Sequence, residues 1–133
     1  MAKQRKVWMS GTATKSQSSL PGTLKDEVDT KARELIEAVL KPKHIQPPSQ
    51  DERFNSIVEI TIKWVGSKCY FISIYRTPRQ DTFETKSARM EYVGNAKFDL
   101  SFMRRTGKWV ELYVSLSLDD CLKAIQDDPW FLP

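Results

Sequence analysis

The chain is poor in the residues that do chemistry. One of its 133 residues is histidine, His44, and two are cysteines, Cys69 and Cys121. A lone histidine leaves imidazole-activated nucleophiles with no second candidate, and nearby Pro42 places His44 on a solvent-exposed loop. The cysteines form no CxxC pair, so the spacings that clamp zinc are missing. They sit in ordinary apolar patterns and read as free, partly buried thiols rather than a bridge. The five glycines build neither a Walker loop nor a dinucleotide fingerprint. No apolar run nears the ~18 residues needed to cross a bilayer. No apolar stretch follows the N-terminal bases as in a signal peptide. The reading is a cytoplasmic, non-enzymatic chain with no cofactor, no metal site and no membrane contact.

Acid is also missing, but only locally. The chain carries 21 Lys+Arg and 17 Asp+Glu. Residues 1–20 hold Lys3, Arg5, Lys6 and Lys15 and no acid, which leaves 17 of each sign over 21–133. The net charge of +4 thus belongs to an arm, and the body is neutral. Residues 9–22 are mostly Ser, Thr, Gly and Ala, so 1–20 is expected to be a flexible basic arm on a single domain, 21–133. Within the arm, Lys3, Arg5, Lys6 and Trp8 form a candidate docking segment. Trp8 supplies apolar area and the bases attract an acidic or phosphate surface.

Apolar residues at 24, 28, 32, 35, 36, 39 and 40 follow helical spacing. They predict an amphipathic helix over 24–40, capped by Thr23 with Asp26 three residues on, and stopped by Pro42. Glu27–Lys31 and Asp29–Arg33 are pairs four apart with the acid first. Five strands follow, their side chains alternating between two faces. Gly66-Ser67 suits a tight hairpin turn that sets Trp64 against Cys69, Ile62 against Phe71, Ile60 against Ser73 and Val58 against Tyr75. Residues 77–85 read as a loop. Hydrophobic matching favours a three-residue loop over 94–96, with Met90 against Leu100 and Tyr92 against Phe98. Arg105-Thr106-Gly107 closes the next hairpin and sets Phe102 against Val110, Leu100 against Leu112 and Phe98 against Val114. Ser117 caps a short helix with a stripe of Leu118, Cys121, Leu122 and Ile125. Trp130 and Phe131 are expected to fold back onto the body. The fold expected is α+β: an N-terminal amphipathic helix packed on a five-stranded antiparallel meander, with a short C-terminal helix.

Residues 88–92 (ARMEY), the alternation Phe98-x-Leu100-x-Phe102, then Gly107-Lys108-Trp109, Tyr113 and a helix closing with Ile125 and Asp128-Pro129 are similar to a small bacterial family of unknown function. The resemblance covers about residues 88–129. It implies an α+β domain in a bacterial cytoplasm, and it implies no activity and no functional residues.

The outer face of the sheet stands out. By these registers it presents Trp109, Tyr113, Tyr70, Ile72 and Ile74, interleaved with Lys63, Arg76, Arg89 and Lys97. That is too aromatic for a face turned to water. Three readings account for it. The C-terminal helix and Trp130-Phe131 cover it; a protein partner or a second copy covers it; or nucleic acid stacks bases on its rings while Arg and Lys hold phosphate. The acids Asp119, Asp120, Asp127 and Asp128 read as solvated helix ends. The chain as a whole reads as a small binding or accessory domain acting through this face and the arm. The alternative is a nucleic-acid-associated protein, with the arm on phosphate and the sheet aromatics on bases.

Overall fold

The structure, a computed structural model, describes residues 19–45 and 54–133. The arm residues Lys3, Arg5, Lys6 and Trp8, and the Pro47-Pro48 connector, lie outside the described residues. Helix α1, Gly22–Leu35, buries Val28, Ala32 and Leu35 along one stripe. Its start differs from expectation. Thr23 does not cap it; Pro21 precedes Gly22, and the Lys25 N–H donates to the Pro21 carbonyl at 3.0 Å. Proline has no N–H to leave unsatisfied, and its φ of −63° leads into the first turn.

Pro42 does not stop the helix either. A π segment, Ile36–Leu40, carries the chain into a last turn, α2, Lys41–His44. The Lys41 N–H reaches back five residues to the Ile36 carbonyl. Proline lacks a donor and presses on the carbonyl four residues back, so a wider ladder just before it relieves the clash at small further cost. His44 therefore closes a helix and is half buried, not exposed on a loop.

Strands β1 (Ser56–Val65), β2 (Lys68–Arg76), β3 (Thr82–Gly94), β4 (Lys97–Met103) and β5 (Trp109–Ser117) form one antiparallel sheet in sequential order. Helix α3 follows at Leu118–Asp127. The architecture is the α+β arrangement expected. The central registers agree too: Trp64↔Cys69, Ile62↔Phe71, Ile60↔Ser73, Met90↔Leu100, Tyr92↔Phe98 and Phe102↔Val110 are all paired.

Bulges account for the misses. The register shifts between Ile57 and Glu59, so Ile57, not Val58, faces Tyr75. Strand β3 begins at Thr82 rather than after residue 85, because Tyr75 pairs with Phe83 and their rings stack at 5.3 Å. The turn between β3 and β4 is Asn95-Ala96, both at positive φ, and an irregularity between Tyr92 and Gly94 keeps the expected register. Two shifts along β4–β5 set Leu100 against Tyr113 and Phe98 against Leu116, replacing the expected Leu112 and Val114. Ser115 takes a φ of +54° and its N–H donates to Asp99 Oδ1 at 3.0 Å. Val114 consequently lies 60% exposed instead of in the core.

Both helices pack on one face of the sheet. Val28, Ala32, Leu35, Ile36 and Leu40 join Ile60, Ile62, Phe71, Met90, Phe98 and Leu100, with Leu118, Cys121, Leu122, Ile125 and Phe131. Ser117 caps α3 as expected, its Oγ accepting the Asp120 N–H at 3.2 Å. Lys31 ties α1 to α3 through Asp119 at 2.9 Å and pairs with Glu27 at 3.3 Å. Lys41 joins the helix to edge strand β1 through Glu59 at 2.8 Å, which holds the Glu59 carboxyl below its ordinary pKa. Asp29 accepts from Trp64 Nε1 at 2.7 Å.

The hairpin register makes a direct prediction. Ile62 is 8% exposed in the core, while Lys63 points to the other face and is exposed. Ile62→Ala should cost about 2–5 kcal/mol and Lys63→Ala about 0.5 kcal/mol or less. Urea denaturation followed by circular dichroism reads both; equal losses would put the register out by one.

Candidate binding face

The helices, the C-terminal turn and Phe131 lie on the same side of the sheet. Among the described residues, no second layer therefore covers the outer face. The first of the three sequence readings, cover by the C-terminal helix and Trp130-Phe131, is thus corrected. Their apolar stripe matches the core left open beside α1, and Phe131 fills it at 2% exposure.

The centre of the outer face is a row across the sheet. Lys63 pairs with Tyr70, Tyr70 with Arg89, Arg89 with Ser101 and Ser101 with Glu111. Trp109, opposite Met103 at the start of β5, leans onto this row. Its ring lies 5.7 Å from that of Tyr70, tilted 51°. The Arg89 guanidinium sits 4.9 Å from the Trp109 ring centre, and Lys86 Nζ sits 5.9 Å from the Tyr70 ring centre. Arg89 Nη2 also donates to Ser101 Oγ at 3.5 Å, while its Nε is buried and, among the described residues, finds no acceptor. Ile72 lies on this face at only 2% exposure, so the surrounding side chains already shield it.

Of the residues expected here, Tyr70, Arg89 and Trp109 come together. Lys63 stands one strand out beside Tyr70, and Arg76 lies exposed at the end of β2. Lys97 is at the first position of β4, away from the rings. Tyr113 does not belong to the group. The irregularities of β5 turn it toward α3, where its hydroxyl donates to Asp128 Oδ2 at 2.7 Å, a bond that raises its pKa. Lys86 joins the group through a bulge: regular alternation back from Met90 puts it on the core face, but the register shift between Phe71 and Ile72 sets Ala88 against Phe71 and Lys86 against Ile72, on the outer face.

The rest of the chain gives little reactive chemistry. Cys69 and Cys121 are free, buried thiols whose pKa is pushed up to about 12, mainly by burial. Thiolate chemistry near neutral pH is therefore strongly disfavoured. Burial, followed by the charge of Lys43, lowers the pKa of His44. Among the described residues no group of three His, Cys, Asp or Glu side chains is placed to hold a metal ion. No helix of the described residues is long and apolar enough to cross a membrane.

A five-stranded meander with its helices on one side and an aromatic–arginine cluster on the other defines an α+β domain with one uncovered face. The chain belongs to the DUF3024 family, described as a domain of unknown function, whose family model matches residues 20–133. No curated protein and no solved structure matches it.

Proposed function

We propose that this domain is a non-enzymatic binding module that works through its outer sheet face, and that the face receives protein, specifically a second copy of the domain. The observation that carries the reading is the seating of Arg89 and Lys86 over Trp109 and Tyr70. Rings already stacked on the chain's own cations are poor platforms for bases. Clustered Trp, Tyr and Arg are the residue types that anchor protein interfaces.

A second copy fits the charge pattern. The β1–β3 half of the face carries Lys63, Arg76 and Lys86 against Glu84, and the β3–β5 half carries Glu91, Asp99 and Glu111 against Lys97, so the two halves differ in net sign. A two-fold pairing lays each half on its opposite. Five strands ~4.8 Å apart and about eight residues at ~3.3 Å give roughly 600 Å² before side-chain relief, near the ~800 Å² each partner buries in a standard interface. Pairing through the sheet edges is discouraged, since both edge strands, β1 and β5, carry register breaks.

The test is sedimentation equilibrium of the full chain from micromolar to millimolar concentration. A reversible dimer is expected. Trp109→Ala should raise its dissociation constant about 30-fold or more, the scale of a ~2 kcal/mol hot spot. The melting temperature of the variant should stay within about 4 °C. A wild type that remains monomeric at millimolar concentration would overturn the reading.

A further inference from the structure

We infer that the β4–β5 hairpin and the C-terminal turn form a binding groove for single-stranded nucleic acid, independent of the outer face. The turn Pro129–Phe131 follows α3 and is anchored by Phe131 in the core. Asp128 caps it, Oδ1 accepting the Trp130 N–H at 3.1 Å, while Oδ2 holds the Tyr113 hydroxyl at 2.7 Å. Trp130 is thereby set against Phe102 with ring centres 4.8 Å apart, yet it stays 59% exposed. A groove of about 650 Å³ opens beside it, lined by Phe102, Arg104, Arg105, Val110 and Trp130 among others, with no acidic residue in its lining.

The hairpin loop is pre-shaped. The Arg104 N–H donates to the Lys108 carbonyl and the Gly107 N–H to the Arg104 carbonyl, both at 2.9 Å, with Gly107 at a φ of +83°. From Phe102 to Val110 the chain carries Arg104, Arg105 and Lys108 and no acid. Arg76 and Arg79 lie at the same end of the sheet, because β2 and β4 both run toward it.

An exposed indole beside a loop rich in arginine is the pairing that single strands use. A base stacks on the ring and the flanking phosphates take the guanidinium groups. A duplex keeps its base faces stacked inside and offers none to Trp130. A free nucleotide would use one or two of these cations, whereas the run continues past the groove to Lys108. The inference does not depend on the outer face, since Trp109 lies on the opposite side of the sheet from Phe102.

Fluorescence anisotropy of the full chain with a labelled single strand of about twelve nucleotides, within the usual ~4–16 of a small binding domain, tests it. Binding should weaken with salt. Arg104→Gln with Arg105→Gln should flatten the log–log salt slope by about 1.4, at ~0.7 per phosphate contact. Trp130→Ala should weaken binding about 5- to 150-fold and leave that slope unchanged. Both arginines are exposed on a loop, so the double variant reads the site even if Trp130→Ala disturbs the turn. Trp109→Ala should leave the affinity alone. No binding at low salt would overturn the inference. So would equal affinity for duplex, full displacement by a mononucleotide at strand concentrations, or a loss at Trp109→Ala in place of Trp130→Ala.

Discussion

Phe98→Ala is expected to remove about 3–5 kcal/mol of stability, a large part of the ~5–15 kcal/mol that holds a domain of this kind together. Phe98 is fully buried on β4, opposite Tyr92 on β3 and Leu116 on β5. Its ring meets that of Tyr92 edge-on at 5.7 Å and 61°. Truncation removes the whole ring from a site closed by the sheet on one side and the helices on the other, so collapse can refill little of the space. Loss of the aromatic pair adds to the cost. The melting temperature should fall by at least about 10 °C. Lys97→Ala, one residue away and exposed, should change stability by no more than about 0.5 kcal/mol. If the two variants melted together, Phe98 would not be in the core.

Phe131→Ala should be nearly as damaging, at about 3–5 kcal/mol. Pro129 opens a 3-10 turn, Asp128 caps it, and Phe131 is 2% exposed in the same core as α1 and α3. Its neighbour Trp130 has mostly its contact with Phe102 to lose. Trp130→Ala should therefore cost only about 0.5–1.5 kcal/mol, the worth of an aromatic pair. Thermal unfolding of the two variants side by side checks this, and comparable losses would make Trp130 a core residue.

Much of the fold could be read from the chain because its turns are chemically explicit. Gly66 and Gly107 take φ of +60° and +83° where the hairpins reverse, and each locks a register that alternation alone would leave free to slip. What could not be read were the bulges. Alternation assigns a face only while the ladder is regular, and nothing in Val58, Ser115 or the Leu112–Tyr113 step announces an extra residue. The same cause moved Tyr113 off the aromatic face and left Val114 in solvent. Pro42 misled because a proline inside a helix is tolerated when the ladder widens just before it, a tertiary accommodation with no local signature.

The candidate face was partly legible. Tyr70, Arg89 and Trp109 were foreseen on one side, but the stacking of Arg89 on Trp109 depends on a cross-sheet distance no spacing gives. The groove beside Trp130 was missed because Trp130 and Phe131 were read together as one apolar tail. The signal lay in Arg104-Arg105 on the loop that the structure brings next to Trp130.

The two silenced thiols give the molecule a clock of its own. Cys69 sits in the sheet opposite Trp64, and Cys121 sits on α3, both fully buried. An alkylating reagent can reach either sulfur only through an opening of the layer above it. Equal labelling rates mean that sheet and helix part in one cooperative event. A faster Cys121 means that α3 peels away while the meander stays closed. The chain therefore carries, without any added probe, a way to time how its two layers separate.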